Sequence, residues 1–304
     1  MIGAVEVGLI YGVMALGVFL TFRVLNFPDL TVDGSFTTGA ATAAVGIVNG
    51  WNPVLATLAG FVTGAIAGGI TGLLHTKGKI DGLLAGILTM IGLWSINLRI
   101  MDGANIPLLR QDTLFTPLRD SGILGTWLGV GIIALAVAGL GLIVVWLLTT
   151  DLGLALRATG DNGQMITSFG VSTDYTKTLT LALSNGFVGM CGALIAQYQG
   201  FADISMGIGL ILVGLASVIM GQAILGQRRL WIAVAAVIVG AVIYRVIIFS
   251  ALQVGLDPND MKLITALLVI IALVLPRFKS AKSRVFKSTK STPAPTLEPA
   301  MKEA

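Results

Sequence analysis

The sequence predicts an all-α, polytopic membrane protein of about eight to nine transmembrane helices with an inverted internal repeat. Three observations lead to this prediction. The 304 residues are 55% hydrophobic and only 11% charged, with a mean hydropathy of +0.92. Several apolar runs are long enough to cross a bilayer, and one short motif occurs twice. This composition lies outside the range of soluble globular domains.

Apolar runs between charged residues or Pro, Gly and Asn breaks predict the individual spans. No basic region precedes the first run, so we expect a retained helix at the start of the mature chain and not a cleaved signal peptide. The second and seventh runs are short for a crossing. The predicted spans lie near 3–22, 34–49, 53–75, 82–101, 122–149, 176–200, 206–226, 230–250 and 261–276.

The distribution of Lys and Arg predicts an extracytoplasmic N-terminus and a cytoplasmic C-terminus in the plasma membrane. Inner loops would hold Arg23, Lys77, Lys79, Arg157, Lys177, Arg228 and Arg229, and outer segments Arg99, Arg110, Arg119 and Lys262. The basic residues at 277–304 lie in a sequence rich in Ser, Thr and Pro, which predicts a disordered cytoplasmic tail. We expect these basic residues to contact membrane lipid and not nucleic acid.

Glycine recurs every four residues along the third predicted span, at Gly60, Gly64, Gly68 and Gly72. Small residues on one face let helix backbones approach closely in lipid. The span is therefore predicted to form a helix-packing interface. The single cysteine, Cys191, lies in an apolar run, so an intrachain disulfide is excluded and a packing role is expected.

Two carboxylates interrupt the apolar sequence in VLNFPDLTVDGSFTTGA, residues 24–40. The segment NFPDLTVDGSFTTGA can be laid without a gap on GFADISMGIGLILVG, which pairs Asp29 with Asp203. At the same offset Gly12 falls on Gly186. Each motif follows a long span and precedes a short one, and the preceding spans run in opposite predicted directions. This arrangement predicts an inverted repeat.

The two halves are predicted at about 1–101 and 176–276, within one transmembrane domain of 1–276. Transporter folds often build their path from short helices at such a repeat interface. The polar residues of the motifs would either cap the free N–H groups of helix starts or line the path. Asp33 has no counterpart, because Gly207 stands there. The candidates are Asp29, Thr31, Asp33, Asp203 and Ser205.

The longest polar interruption on the predicted inner side is TDLGLALRATGDNGQMITSFGVSTDYTK, residues 150–177. It contains an apolar helical pattern, a predicted turn and a second apolar group, at Leu152, Ala155 and Leu156, at 160–163, and at Met165, Ile166 and Phe169. The pattern predicts a pair of short helices across the membrane face, with Met and Phe available to enter a partner's groove.

This segment resembles the ATPase-coupling loop of ABC importer permeases of the branched-chain amino-acid permease superfamily. The matching residues are Arg157, Ala158, Gly160, Asp161, Asn162, Met165, Gly170 and Lys177. The stretch NFPDLTVDGSF is similar, more narrowly, to a subfamily of ABC transport system permeases, some members of which are linked to aromatic amino acid uptake. The resemblance extends over about residues 1–276.

The resemblance implies a permease that forms the path for a small solute such as an amino acid, with aromatic amino acids among the candidates. It implies two permease copies, as a homodimer or a permease pair, on two cytosolic ATP-binding-cassette ATPases, with an extracytoplasmic binding protein that delivers the solute. Met165, Ile166 and Phe169 would anchor the ATPase, and Arg157 and Asp161 would fix its orientation. Gly160 and Asn162 belong to the same coupling motif.

Some chemistry is not expected of this chain. The sequence has no G-x-x-x-x-G-K-[ST] loop, so ATP hydrolysis is expected in a separate subunit and the chain is not expected to be an enzyme. The single histidine, His75, offers no metal-binding constellation, and no cofactor is expected. The outer loop carries both charge signs, at Arg110, Asp112, Arg119 and Asp120, which would suit docking of the binding protein.

A secondary transporter is the alternative, because inverted repeats occur equally in that class. Such a protein normally has membrane-embedded ionisable residues for ion coupling. Apart from the two motifs, the candidates are Glu6 in the first span and Arg245 in the eighth. We expect structural roles for both, with a pairing between them as one arrangement.

Overall fold

The computed structural model describes residues 1–227, 229–255 and 263–270. The helices are α1 Ile2–Phe19, continued by a π-helix at Leu20–Val24, α2 Thr31–Val48, α3 Pro53–Thr76, α4 Gly82–Met101, α5 Thr116–Asp120, α6 Trp127–Thr149, α7 Asp151–Asp161, α8 Gly163–Ser168, α9 Thr173–Gln199, α10 Leu210–Leu225 and α11 Leu230–Gln253. The strands are β1 Asn105–Pro107 and β2 Phe201–Asp203. The chain is thus a polytopic all-α membrane protein.

Within the described residues, six helices are long and apolar enough to cross a membrane: α1, α3, α4, α6, α9 and α11. The predicted second and seventh spans correspond to α2 and to the shorter apolar helix α10. The predicted ninth span, 261–276, is helical over 263–270 and otherwise lies outside the described residues. The predicted tail at 277–304 also lies outside them.

Several helices begin at side chains that cap them. Asn52 accepts a hydrogen bond from the Val54 amide at 2.9 Å and is followed by Pro53, the favoured first residue of a helix. Asp81 accepts one from the Leu83 amide at 3.0 Å. These oxygens satisfy N–H groups that have no partner inside the helix. Breaks in the apolar pattern therefore coincide with helix starts.

The centre of the bundle is formed by α1, α2 and α9. The apolar windows of α1 and α9 are 72% and 78% buried, against 28% for α4 and α6. Most residues of α2 are also buried, because Gly and Ala at positions such as Gly39, Ala40 and Ala44 let neighbouring helices approach. The polar residues of α2 are therefore surrounded by protein and not by lipid.

The glycine stripe of α3 packs against α9. A Cβ on Gly64 would meet the carbonyl oxygen of Asn185, and one on Gly72 would lie 2.7 Å from the Thr178 Cα. These positions leave no room for a side chain because the two backbones are in direct contact. The predicted packing interface is confirmed.

The two predicted halves pack on each other reciprocally, since α1 lies on α11 and α9 lies on α3. Gly12 and Gly186, which the sequence alignment pairs, occupy these two contacts. A Cβ on Gly12 would lie 3.4 Å from the Ile238 Cγ2 atom, and one on Gly186 would lie 2.9 Å from the Phe61 Cε2 atom. This reciprocity supports the repeat, which stays a prediction, as does its direction across the membrane.

A two-stranded ribbon joins two distant parts of the chain, and the sequence patterns did not predict this contact. β1 pairs antiparallel with β2, with Asn105 opposite Asp203 and Pro107 opposite Phe201. The Ile204 amide continues the contact by donating to the Ala104 carbonyl at 2.9 Å. The ribbon holds the loop between α4 and α6 against the connection from α9 to α10.

Candidate functional site

Asp29 lies in a closed polar network at the start of α2 and is 3% exposed. One carboxylate oxygen accepts a hydrogen bond from the Thr31 amide at 2.9 Å, and the other accepts one from the Asn185 side-chain amide at 2.6 Å. The side-chain oxygen of Asn185, Oδ1, in turn accepts a hydrogen bond from the Ser35 hydroxyl at 2.6 Å. Asp29 therefore binds the first amide of α2 and ties this helix to α9.

Thr31 links three helices at the same level. Its hydroxyl is 2.7 Å from the Thr71 hydroxyl of α3, which donates to the Thr89 hydroxyl of α4 at 2.9 Å. All three residues are buried. Hydrogen bonds between Thr side chains join helices in lipid without unpaired polar groups. Thr31 is thus placed to hold helices together.

Asp33 caps a helix other than its own. Its carboxylate accepts hydrogen bonds from the Gly209 amide at 2.7 Å and the Ile211 amide at 2.8 Å, at the start of α10. Asp33 thus supplies the negative charge that a helix N-terminus favours. Gly207 makes this contact possible, because a Cβ there would meet the Asp33 carbonyl oxygen.

The structure corrects the prediction that Asp203 and Ser205 cap α10. Asp203 accepts hydrogen bonds from the amide and the hydroxyl of Ser205, and from the Asn105 side chain at 3.4 Å. These bonds close a turn that precedes α10, whose first amides are bound by Asp33. The Ser205 hydrogen bond lowers the pKa of the Asp203 carboxyl below its usual range.

Of the five motif residues, Asp33 borders a cavity of about 420 Å³ between α2, α4 and the turn at 204–209. Asn97 of α4 faces the same space and is 1% exposed. Sequence reasoning missed both Asn97 and Asn185. An Asn inside an otherwise apolar run was the available signal, because such side chains are costly in a membrane and are placed for hydrogen bonding.

The segment 150–177 forms the predicted pair of short helices. Thr150 caps α7 by accepting from the Gly153 amide at 3.3 Å, and Asn162 caps α8 by accepting from the Met165 amide at 3.0 Å. The turn predicted at 160–163 is wrong in extent, because Asn162 alone separates the helices. The cap at Asn162 starts α8 immediately where α7 ends.

One face of α7 is fixed to the bundle. Leu156 is fully buried, and the Thr159 hydroxyl is 3.0 Å from the Thr176 hydroxyl of α9. Gly160 rests on the end of the π-helix, where a Cβ would meet the Val24 carbonyl oxygen. Gly160 therefore allows close backbone contact, and α7 is a firmly supported element.

The opposite side of this segment presents apolar groups to its surroundings. Met165 is 51% exposed and Phe169 is 74% exposed, one helical turn apart, with Ile166 half-buried beside them. Arg157 and Asp161 on α7 are also exposed, and they line a polar cavity of about 390 Å³. A firmly anchored pair of helices with exposed apolar side chains beside charges suits the docking of another protein.

The suggested pairing of Glu6 with Arg245 is wrong. The Glu6 carboxylate accepts hydrogen bonds from the Gly125 amide at 2.9 Å and the Tyr198 hydroxyl at 2.8 Å. The Arg245 guanidinium lies 4.0 Å above the centre of the Tyr11 ring, in a cation–π contact. Across the described residues, no group of three or more His, Cys, Asp or Glu side chains is placed to hold a metal ion.

The model of one protein family, the permease component of the branched-chain amino acid transport system, matches residues 1–274. The chain belongs to this family. The match covers both predicted halves except the last two residues of the second, and the segment between them, and so includes every candidate site residue. Membership of this family favours an ABC permease over the secondary-transporter alternative. It also indicates a multi-pass protein of the plasma membrane.

Three relatives are similar to this chain over most of its length. A tyrosine transport system permease protein of Clostridioides difficile is 42% identical over 266 residues, which cover 87% of each chain. An uncharacterised protein of Rickettsia prowazekii is 36% identical over 277 residues, covering 90% of this chain and 96% of the relative. The ribose import permease protein of Bacillus subtilis is 27% identical over 280 residues, covering 90% and 83%. No solved structure matches this permease.

Proposed function

We propose that this permease is the membrane subunit of an ABC importer and forms the translocation path for an amino acid, with an aromatic amino acid as the preferred solute. The observation that carries the proposal is the anchored α7–α8 pair, which presents Met165 and Phe169 beside Arg157 and Asp161. The name of the 42% identical relative, a tyrosine transport system permease, supports the choice of solute.

In this proposal α8 enters a groove on a cytosolic ATPase. Met165 and Phe169 supply the buried apolar contact, with Ile166 beside them, because Met and aromatic residues are favoured at the centres of protein interfaces. Arg157 and Asp161 set the orientation through charge, which contributes more to specificity than to affinity. Gly160 and Asn162 act indirectly by fixing the position of α8.

The proposal also includes the other subunits of the importer. A second copy of the permease completes the importer as a homodimer, and ATP is hydrolysed by the ATPase subunits. An extracytoplasmic binding protein delivers the solute to the outer loop, where Arg110, Asp112, Arg119 and Asp120 steer its docking. The N-terminus lies outside and the C-terminus in the cytoplasm.

The test is a paired substitution on α8 in the complete transporter, reconstituted in vesicles with its ATPase and binding protein. Met165→Asp with Phe169→Asp should abolish ATP-dependent uptake of L-tyrosine, because two carboxylates cannot enter an apolar groove without large desolvation costs. Thr167→Asp, on the opposite face of α8, is the matched control and should retain uptake. Co-purification of the ATPase with each variant measures docking directly.

Uptake and ATPase binding at the level of the unmodified protein in the double variant would reject α8 as the docking element. Uptake of ribose in preference to L-tyrosine by the unmodified transporter would reject the proposed solute and leave the docking assignment standing. The two parts of the proposal can thus fail separately.

A further inference from the structure

The polar cavity beside α7 brings together three parts of the chain that are distant in the sequence. Its wall is formed by α7, by the π-helix that continues α1 with the residues around it, and by the residues from the end of α10 to the start of α11. The distribution of Lys and Arg places this inner cavity on the predicted cytoplasmic side. Its volume is about 390 Å³. The inner cavity thus adjoins the pair of helices that is proposed to meet the ATPase.

The inner cavity carries an excess of positive charge. Among the described residues that line it, Arg23 and Arg157 are the only basic side chains and Asp161 is the only acidic one. Arg23 donates a hydrogen bond to the side-chain oxygen of Gln227, and within the described part of the chain neither guanidinium forms an ion pair with a carboxylate. Both arginine side chains are exposed, so their remaining N–H groups are accessible to a partner.

Two guanidinium groups on one cavity wall determine which chemical group fits there. A guanidinium presents five N–H donors in a planar fork, keeps its charge at any physiological pH and accepts no hydrogen bond. This fork matches the paired oxygen atoms of a carboxylate or a phosphate. The inner cavity therefore favours an anionic group that carries such oxygen atoms.

The position of the inner cavity indicates where this anionic group comes from. Asp161 on its wall is four residues from Met165, so the two Cα atoms are at most about 15 Å apart. A specific interface covers about 800 Å² of each partner, which corresponds to a circular patch about 32 Å across. A protein that docks on α8 with an interface of this size, centred on Met165, therefore reaches the rim of the inner cavity.

We propose that the inner cavity receives an acidic side chain of the cytosolic ATPase, with its carboxylate between Arg23 and Arg157. Arg157 belongs to the predicted coupling segment, whereas Arg23 lies in the π-helix and extends the docking surface to the first membrane helix. The ion pair contributes orientation and specificity, and the apolar contacts of α8 contribute most of the affinity. This inference rests on the proposed function, because it adds a contact to the same ATPase interface.

The first experiment measures the Kd of the purified ATPase for the permease in lipid nanodiscs at two salt concentrations. Arg23→Gln removes one charge from the inner cavity, and we expect it to raise the Kd about tenfold in about 50 mM NaCl. Because salt screens exposed charges, this difference should fall to about twofold in about 500 mM NaCl. Arg23→Lys keeps the charge but loses the fork, and its Kd should stay within about threefold of the unmodified permease.

Lys77→Gln is the matched control. Lys77 is an exposed basic residue on the same predicted face, directly after α3 and outside the inner cavity. Its loss should change the Kd less than about twofold. Equal effects of Arg23→Gln and Lys77→Gln would show a general attraction to the basic face and overturn the proposed contact. A loss in Arg23→Gln that is the same at both salt concentrations would show a structural role and overturn it as well.

The second experiment identifies the partner group. A water-soluble carbodiimide joins an amine to a carboxylate that contacts it, with loss of water. It should link the lysine introduced by Arg23→Lys to an Asp or Glu of the docked ATPase, and mass spectrometry of the linked peptides locates both residues. If the ATPase stays bound while this lysine is linked only to Asp161, or to no residue, the inner cavity does not hold an acidic side chain of the ATPase.

The outcomes separate this inference from the function on which it rests. Loss of ATPase binding in the Met165→Asp, Phe169→Asp variant, together with unchanged binding in Arg23→Gln, would overturn the contact in the inner cavity and leave docking on α8 standing. Unchanged binding in both variants would reject the proposed docking element as well.

Discussion

The starts of α2 and α10 occupy matching places in the two predicted halves, yet they are held differently. At α2 the cap is local, because Asp29 lies two residues before Thr31 and binds its amide inside the bundle. At α10 the corresponding residue, Asp203, stays in a surface turn, and the first amides bind Asp33 of the opposite half.

This difference shows how one motif takes two roles in a single chain. Asp33 has no counterpart, since Gly207 replaces it, and the missing side chain leaves the space that brings the two helices together. The start of α10 consequently depends on α2, whereas the start of α2 depends on α9 through Asn185. Substituting the three carboxylates tests this comparison directly.

Removal of the Asp33 carboxylate should have the largest effect. Asp33→Ala leaves the amides of Gly209 and Ile211 without their partner, so we expect a loss of about 2 to 3 kcal/mol in the free energy of unfolding in detergent. Asp33→Asn keeps one acceptor and should lose about half as much. Asp120→Ala, an exposed carboxylate on α5, is the control. An unchanged unfolding curve for Asp33→Ala would contradict the cap on α10.

Substitution of Asp29 should have an intermediate effect. Asp29→Asn places an amide group opposite the Asn185 amide, so two donors face each other and about 1 to 2 kcal/mol of stability is lost. The exchange Asp29→Asn with Asn185→Asp restores one donor and one acceptor. A double-mutant cycle measures the coupling. Additive losses, without rescue in the double variant, would show that the two side chains do not act as a pair.

Substitution of Asp203 should have the smallest effect, about 0.5 kcal/mol or less, because the turn is at the surface. The pKa of Asp203 is lowered in the folded protein, so its contribution is present above the unfolded pKa and is lost as pH falls through the folded pKa. Asp203→Asn should therefore be slightly less stable at pH 7, and this difference in stability should shrink as the pH falls through the lowered pKa of Asp203. If Asp203→Asn lost as much stability as Asp29→Asn, the two carboxylates would have equivalent roles in their motifs.

The positions of the long helices follow from the sequence because apolar length and helix-breaking residues are local properties. The glycine stripe of α3 also predicts its contact, since close packing requires small residues. The ribbon between β1 and β2 could not be predicted in this way. It joins Asn105 to Asp203, and no local pattern specifies which distant segments pair.

The candidate site was predictable in its residue types but not in its connections. The sequence singled out Asp33, but its partners lie on α10, in the other half of the chain. It overlooked Asn97 and Asn185, which act through distant neighbours inside the membrane. Residue identity indicates which groups need hydrogen bonds, whereas only the packing of helices determines which groups supply them.

The single residue between α7 and α8 has a mechanical consequence. The backbone angles of Asn162, φ −156° and ψ 92°, set the direction of α8, and the hydrogen bond from the Met165 amide to the Asn162 side chain holds them. Only this one residue lies between the two helices, so we expect a displacement of α8, which is about 9 Å long, to move α7 with it. Gly160 lies against the Val24 carbonyl, so such a displacement would reach the end of the π-helix that continues α1.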